Sequence, residues 1–375
     1  MKKLIYLIIA ITVLGLIVTG CIPVAPPVEQ NESGSLSNKS PGVVTNVTTT
    51  FTYGTIQAAI TAADPGDTIS VGDGTYEEAI TIGKANLTLQ SETNLGAIIR
   101  PTTTPASWPE AVIYITADGV TVDGFEVDGT TVADNGILGW ETSDLTIKNN
   151  KIHGAVRDWD GCGILLFSWG NGGTVYDNLI ENNEVYDTGR MGIMVMDYGT
   201  TYSVTSGNTI TGNTVHDVWK NPQGDHGGGI QINVGKDCAI TNNEVYDVQN
   251  GQRGIYMFGS ASGNTIIGNT LRNNEIGIQL WISGEGGTSI DWGGETVTSP
   301  QVHDNNIYDN DLWGAISINI QGTPMVMDAT NNWWGHPGGP LRLNPDDEWA
   351  GPKIADRVSR NVDYHPWLHN SIERE

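Results

Sequence analysis

Short apolar runs, separated by Gly, Asp, Asn and Pro, fill most of the chain after Tyr53. Apolar and polar residues alternate within many of these runs, as is typical of half-buried β-strands. Residues 55–63 differ, because Ile and Ala recur there at helical spacing and Asp64-Pro65-Gly66 stops the pattern. The pattern predicts one short helix followed by many short strands, including single strands over 68–71, 97–99 and 120–127.

Two signatures alternate along the chain and recur every 23 to 37 residues. One is a strand that ends in Asn-Asn or Gly-Asn, and the other is Gly followed by an apolar residue or Ala. Such a period suits one turn of a three-sided coil, and the repeated Asn suits an internal hydrogen-bond ladder at a bend. The repeats predict a parallel β-helix. The Asn signature ends at Asn150, Asn183, Asn213, Asn243, Asn269 and Asn306, and the Gly signature begins at Gly136, Gly163, Gly192, Gly229, Gly254, Gly277 and Gly314.

Both ends of this region resemble known β-helix proteins. Residues 53–90, with the runs 64–71 and 74–77, resemble the capped opening of pectin-lyase-like proteins. Residues 331–340 and 362–368 resemble the terminal segment of many β-helix surface proteins. The resemblance implies an all-β fold: a single-stranded right-handed parallel β-helix over 51–368, with a short N-terminal capping helix and a C-terminal Trp-rich cap. It does not fix an activity, because the same fold carries lyases, hydrolases, epimerases, adhesins and scaffolds.

The N-terminus has the features of an export signal. Lys2 and Lys3 precede an apolar run over 4–18, and residues 18–21 (Val-Thr-Gly-Cys) resemble a lipobox. We therefore expect a signal peptide at 1–20, a lipidated Cys21 with a flexible linker to residue 50, and a short tail at 369–375. The protein would be exported and held at the outer face of a cell membrane by the lipid alone.

The composition of the chain argues against nucleic acid as a binding partner. The net charge is −25 and the pI is near 4.4, so the chain has no basic footprint for nucleic acid. We expect a monomer that requires no cofactor, although the surplus carboxylates would allow Ca²⁺ to bind. No metal site is evident as a ligand motif. Cys162 and Cys238 lie in unmatched contexts, which favours two buried thiols over a disulfide, the alternative in an exported protein.

The strands that begin with Gly predict an outer face rich in aromatic residues. If the residue after each Gly points inward, alternation sends the following residues outward in two columns. Aromatic faces stack on sugar rings, so the main prediction is a cell-surface protein that binds a polysaccharide or envelope glycan; the alternative is a loop lying over this face. The candidate glycan-binding residues are Trp140, Phe167, Tyr256, Phe258 and Trp281.

Ionisable residues precede the same strands and suggest an enzymatic alternative. A base such as His226 or Lys220, with Arg190 and Arg253 on a carboxylate, is what β-elimination or C5-epimerisation of a uronic acid needs. Asp160 and Asp225 could instead act as a glycosidase pair. Ordinary turn ion pairs explain the same residues, so a non-catalytic envelope scaffold or adhesin is the third alternative.

The chain is also similar to the periplasmic β-helix family linked to copper delivery for nitrous oxide reductase. That resemblance implies a copper-delivery alternative. Met191, Met194 and Met196 have the thioether groups that Cu(I) prefers, although packing within the strand is a simpler explanation for them.

Overall fold

Three sheets run along the described chain, because each coil contributes one strand to each sheet. The computed structural model describes residues 41–105, 110–130, 132–156, 161–169, 175–197, 205–218, 227–248, 253–260, 262–281, 298–318, 326–342, 356–359 and 361–373. Nearly all strand pairs are parallel and join one coil to the next. The predicted right-handed parallel β-helix is confirmed. In the described part of the chain, no helix is both long and apolar enough to cross a membrane.

Sheet A contains the strands of the Asn signature. Its strands are β1 (Val44–Asn46), β2 (Thr52–Tyr53), β3 (Thr68–Val71), β6 (Thr88–Ser91), β9 (Thr121–Asp123), β12 (Thr146–Lys148), β15 (Leu179–Glu181), β19 (Thr209–Thr211), β22 (Ala239–Thr241), β25 (Thr265–Ile267), β28 (Gln301–His303), β31 (Met327–Asp328) and β34 (Val362–Asp363).

Sheet B follows sheet A in each coil. Its strands are β4 (Gly74–Tyr76), β7 (Ala97–Ile99), β10 (Glu126–Asp128), β13 (Lys151–His153), β16 (Glu184–Tyr186), β20 (Thr214–His216), β23 (Glu244–Tyr246), β26 (Thr270–Arg272) and β29 (Asn306–Tyr308).

Sheet C contains the strands of the Gly signature. Its strands are β5 (Ile80–Ile82), β8 (Ala111–Ile115), β11 (Asn135–Trp140), β14 (Cys162–Ser168), β17 (Met191–Asp197), β18 (Thr205–Ser206), β21 (Gly228–Lys236), β24 (Arg253–Ser260), β27 (Ile276–Trp281), β30 (Trp313–Ile318), β32 (Leu341–Arg342) and β33 (Arg357–Val358).

A short helix packs at the first coil, as predicted. Helix α1 spans Ile56–Ala62 and buries Ile56, Ala59 and Ile60. The Thr55 hydroxyl caps it by accepting a hydrogen bond from Ala58 N. Beside it, β1 pairs antiparallel with β3. This strand lies within the segment predicted to be a linker, so the ordered domain begins earlier in the sequence than residue 51.

The bend between sheets A and B explains the Asn signature. The first residue of each pair takes a left-handed conformation, with φ of 56° at Asn242 and 66° at Gly212, which favours Asn or Gly. The second residue points inward and joins a buried ladder in which each side-chain amide donates to the next at 2.9–3.0 Å. After Asn269, the next residue of the ladder is Asn305. It lies one residue before Asn306, at which the sequence signature was predicted to end. The ladder is Asn150, Asn183, Asn213, Asn243, Asn269, Asn305 and Asn332.

Branched apolar side chains fill the interior. The middle residue of most three-residue strands points inward, as Ile147 and Val185 do, and is fully buried. The run predicted as a single strand over 120–127 is two strands, because Gly124, at φ 79°, bends the chain between sheets A and B. Near the last coil, Trp334 is fully buried in the core, and Trp367 packs against that core. The C-terminal Trp-rich cap itself stays a prediction.

Candidate functional site

The outer face of sheet C has the densest collection of unusual side chains. In β14, a side chain at Gly163 would point inward and meet Val185 Cγ1 at 2.2 Å, so only Gly fits there. Ile164 also points inward, into the core. Two consecutive inward positions leave Cys162 and Leu165 on the outer side. The same arrangement recurs in the neighbouring strand β17.

The strand register aligns the two predicted outer columns as rows and adds a leading row that was not predicted. The leading row is Asn135, Cys162, Met191, Gly228 and Arg253; the middle row is Leu138, Leu165, Met194, Gln231, Tyr256 and Gln279; and the third row contains Trp140, Phe167 and Met196, continued by Asn233, Phe258 and Trp281.

These rows are far less exposed than a groove requires. In the middle row Tyr256 is 1% exposed, and in the third row Phe167 is 6% exposed. Trp140, Phe258 and Trp281 are half-buried. The five predicted glycan-binding residues are therefore on one face, as expected, but they do not form a continuous solvent-exposed strip.

Sequence reasoning missed an accessible aromatic residue among the described residues of this face. Trp169, directly after β14, is 58% exposed. Its ring centroid is 5.9 Å from that of Phe167, which is 5.1 Å from that of Trp140. The three rings form a continuous aromatic cluster at one border of sheet C. The sequence contained a signal for this residue: in the run Phe167-Ser-Trp169, strand alternation places Trp169 on the same outer face as Phe167.

A sulfur cluster lies on the two strands β14 and β17. Cys162, Met191 and Met194 are buried together, outside the main core, and Leu165 and Met196 pack against them. Cys162 and Met191 are directly opposite each other in the register. The three methionines were candidates from the sequence, but Cys162 was not recognised with them, because it comes from the preceding coil.

Two neighbours on β21 shape this cluster. Gly228 follows Met191 in the leading row, and a Cβ there would lie 3.1 Å from Arg253 O and 3.8 Å from Met191 Sδ, so a larger residue would crowd the backbone of β24 and contact that sulfur. Gln231 follows Met194 in the middle row. Its amide nitrogen donates to Asn233 Oδ1 at 2.6 Å, while its buried Oε1 accepts no hydrogen bond from the described residues. An unsatisfied buried acceptor of this kind is costly.

The donor atoms of this cluster suit a soft metal ion. Thiolate and thioether sulfurs select Cu(I) over harder ions. The register places Cys162 and Met191 on neighbouring strands, whose backbones lie about 4.8 Å apart. Their side chains are buried in one cluster, so both sulfurs are candidate ligands for one ion. Within the described residues, no group of three His, Cys, Asp or Glu side chains could hold a metal.

Of the six predicted catalytic residues, Arg190 and Arg253 belong to the described part of the chain. His226, Lys220, Asp160 and Asp225 lie outside the described residues. Arg253 is in the leading row, buried, with Nε donating to Gln279 Oε1 at 2.6 Å and its guanidinium carbon 4.9 Å from the Tyr256 ring centroid.

The two arginines occupy different positions in their coils. Arg190 immediately precedes Met191, which is the position equivalent to Arg253, so the arginines do not share a row. They also lie two coils apart, on β24 and at the start of β17, with β21 between them. A single sugar carboxylate bound by both is therefore not favoured.

The cysteines are separate thiols. Neither Cys162 nor Cys238 is in a disulfide. Cys238 is inside the helix between Asn208 and Asn264, and burial raises the pKa of its thiol. Cys238 thus belongs to the main core, whereas Cys162 lies beside the methionines in the sulfur cluster.

A second surface feature lies on sheet B and was not predicted. The last residues of its strands point outward and stack along the helix axis. In the first three pairs, from His153 to Tyr246, the ring centroids are 4.9–5.1 Å apart and the rings are stacked within 19° of parallel. We call this the outer ladder; its members are His153, Tyr186, His216, Tyr246, Arg272 and Tyr308.

Comparisons with known proteins agree with the fold and add a family. The model of the family described as periplasmic copper-binding protein (NosD) matches residues 110–340. An alginate lyase from a Paenibacillus species is 15% identical, with a TM-score of 0.50, and the alignment covers 82% of this chain and 96% of that chain. At this identity the likeness concerns the fold alone.

Two further solved structures are more distant. The periplasmic alginate epimerase AlgG is 15% identical, with a TM-score of 0.42, over 67% of this chain and 59% of that chain. The A-module of the Azotobacter vinelandii mannuronan C-5 epimerase AlgE4 is 14% identical, with a TM-score of 0.39, over 84% and 93%. Among curated proteins, the comparison found no match.

Proposed function

The chain belongs to the NosD family of periplasmic copper-binding proteins, and from this premise we propose that it binds Cu(I) through the sulfur cluster on the outer face of sheet C. The observation that carries the proposal is the joint burial of Cys162, Met191 and Met194 outside the main core. Purely apolar packing would need no sulfur in any of these positions. Here every buried member of the cluster offers a soft donor.

Each residue has a defined part in this site. Cys162 supplies one thiolate, whose charge balances that of the ion, and Met191 supplies a thioether directly opposite it. Met194 lies on the same strand as Met191 and in the same cluster. Gln231 Oε1, buried next to Met194 without a hydrogen bond from the described residues, is placed as a weak additional donor.

The surroundings suit uptake and release of an ion as cargo. Met196 packs against the buried sulfurs and is itself only half-buried, at the edge of the cluster. Neutral thioethers exchange an ion more readily than a closed set of thiolates, because little charge must be separated. The site is thus suited to holding copper temporarily outside the cytoplasm.

A competition titration tests this proposal. Reduced protein is titrated anaerobically with Cu(I) against a chromophoric Cu(I) chelator. Wild type should take up one equivalent, and the double change Met191→Leu with Met194→Leu should weaken binding at least about a hundredfold, since each of the two lost ligands contributes about tenfold, or ~1.4 kcal/mol. Leu nearly matches Met in volume, so the fold should persist.

Met257→Leu is the matched control, because Met257 is buried inside the main core and away from this face. Its affinity should equal that of wild type. Equal affinities for the double variant and wild type, or no uptake by wild type, would refute a copper site here.

Polysaccharide binding is the second proposal, and the aromatic cluster of Trp140, Phe167 and Trp169 favours it. Trp169 presents a largely exposed indole beside two further rings, an arrangement suited to the apolar face of a sugar. On a glycan array, Trp169→Ala should lower binding with an unchanged melting temperature. A lyase or epimerase activity would further need His226 or Lys220 as base, and His226→Ala should then abolish turnover while keeping affinity.

We also propose that the lipidated Cys21 anchors the exported protein. Radiolabelled acyl chains should appear on wild type and be absent from Cys21→Ser. Equal labelling of the two proteins would exclude Cys21 as the anchor.

A further inference from the structure

The outer ladder on sheet B ends in a cleft. Inside the ladder each side chain has a neighbour on both sides: Tyr246, for example, has His216 stacked on one face at 4.9 Å, and the guanidinium carbon of Arg272 is 4.0 Å from its ring centroid. Such stacking leaves only ring edges available to a ligand. Tyr308 is the last ladder residue, one coil beyond Arg272.

The position beyond Tyr308 has no side chain. The bridge between Asn306 and Trp333 continues the register by one coil, which places Gly335 next to Tyr308. A Cβ at Gly335 would be 2.9 Å from Tyr308 Cβ, and its φ of 79° also favours Gly. The ladder therefore stops at Tyr308, and a cleft of about 420 Å³ opens there.

The C-terminal segment forms the opposite wall of the cleft. The Asn306 side chain fixes it in place: Asn306 Nδ2 donates to Ile372 O, and Ile372 N donates to Asn306 Oδ1, both at 2.8 Å. This pair imitates the pairing of two β-strands, with a side-chain amide in place of a backbone amide. The lining residues are Thr270, Asn306, Tyr308, Asp309, Trp333, Gly335, Ser371 and Ile372.

The lining has the composition of a carbohydrate subsite. Tyr308 and Trp333 are half-buried aromatic residues that offer apolar surface, and Asp309 and Ser371 are exposed at the edge. A carboxylate accepts strong hydrogen bonds from hydroxyl groups. The volume lies within the range of small-ligand clefts and suits one or two sugar rings.

Charge determines which sugar fits. Among the described residues, no Lys or Arg lines the cleft, and Arg272, the ladder residue before Tyr308, is paired with Glu244 at 2.9 Å. Asp309 would repel the carboxylate of a uronic acid, and the net charge of −25 adds to this effect. We propose that this cleft binds a neutral pyranose residue of a glycan, with Tyr308 and Trp333 as its aromatic contacts and Asp309 as its hydroxyl acceptor.

This site is independent of the sulfur cluster and lies on another sheet. Its test uses the full chain in copper-free buffer containing a chelator, and a glycan array with neutral, amino and uronic-acid oligosaccharides followed by calorimetry with the best neutral ligand. Wild type should bind neutral oligosaccharides, and Tyr308→Leu should weaken that binding at least about tenfold.

The chain offers a matched control within the same ladder. Tyr246→Leu removes an equivalent tyrosine whose ring is covered on both faces, so it should keep affinity within about twofold. Asp309→Asn is the second variant. Asn tolerates the φ of 58° found at this position, so the fold is retained while neutral-sugar affinity falls and discrimination against uronic acids weakens.

Three results would overturn the proposal: no binding of neutral oligosaccharides by wild type, an equal loss in Tyr246→Leu and Tyr308→Leu, or a preference for uronic acids that Asp309→Asn leaves unchanged. None of them bears on copper, because the sulfur cluster is intact in all three variants. Conversely, loss of Cu(I) uptake in the methionine variants leaves the sugar result unaffected.

Discussion

At the scale of single residues, adjacent asparagines have different roles. Asn242 is exposed and takes a left-handed conformation, whereas Asn243 is fully buried in the ladder. Asn243 Nδ2 donates to Ile210 O at 2.9 Å and to Asn269 Oδ1 at 3.0 Å, and Asn243 Oδ1 accepts from Asn213. One side chain thus satisfies polar groups in two neighbouring coils.

Asn243→Leu should lower the free energy of unfolding by about 3 kcal/mol or more, because several buried groups lose their partner while keeping their desolvation cost. Urea denaturation measures this change. Asn242→Gly is the control and should be nearly neutral, since Gly readily adopts positive φ. Similar stabilities for the two variants would mean that the ladder contributes little.

Glu126 gives a prediction about pH. His153 Nε2 is 3.2 Å from Glu126 Oε1, and this hydrogen bond lowers the pKa of the carboxyl group from its ordinary value. A lowered pKa in the folded state means that the unfolded chain binds the proton more tightly. The stabilisation is therefore complete above about pH 4.3, the value for free Glu, and is lost as the pH falls through the lower folded value.

Glu126→Gln should accordingly be less stable than wild type at pH 7 and should show a shallower loss of stability between pH 5 and pH 3. The exposed Glu92 provides the control variant, Glu92→Gln, whose pH profile should follow that of wild type. Parallel profiles for all three proteins would show that the contact with His153 has no energetic effect.

At the scale of strands, the repeat determines register but not exposure. The Gly signature was sufficient to place Leu138, Leu165 and Met194 in one outer row, since a parallel stack aligns equivalent residues of successive coils. It could not show that Tyr256 is buried, because burial depends on which distant segments cover a face. The sulfur cluster was predicted only in part: the three methionines were named from the sequence, but Cys162 was not. Cys162 and Met191 become neighbours only through the register of β14 and β17.

The outer ladder shows another limit of sequence reasoning. The strands of sheet B have three residues each, too few to display alternation. A weaker signal does exist, because Glu184-Val-Tyr186 and Glu244-Val-Tyr246 recur with the same order of outward, inward and outward residues. The cleft beside Tyr308 was beyond reach, since it depends on an interruption at Gly335 and on contact with the C-terminal segment.

At the scale of the whole molecule, the coils are nearly equivalent units. Each strand pairs with its counterparts in the coils before and after it, so stability should be close to a sum over coils and their interfaces. The family match over 110–340 lies within this repeated region. Both ends of the stack differ from the repeat: α1 and the antiparallel β1 adjoin the first coil, and Trp334 is buried near the last.

Removing one whole coil should therefore leave a folded protein. Deleting residues 214–243 joins Asn213 to Glu244, and Asn213 would then occupy the ladder position of Asn243, which lies 30 residues later. The new neighbours are compatible: Val185 of β16 would face Val245 of β23 in sheet B. Sheets A and C would each lose one strand in the same way.

The shortened chain should elute from a sizing column in the same oligomeric state as wild type and should keep a β-sheet circular dichroism spectrum and one cooperative melting transition. Deleting only residues 229–243 removes nearly all of the sheet C strand β21 and the whole sheet A strand β22 but keeps the sheet B strand β20. The chain would then have to pass from β20 to β23 within sheet B without completing a coil, so this variant should aggregate or lose its cooperative transition. Size-exclusion chromatography and thermal melting distinguish the two. If both deletions behave alike, the coils are not interchangeable units, and the stability of the β-helix depends on contacts specific to the coil of β20, β21 and β22.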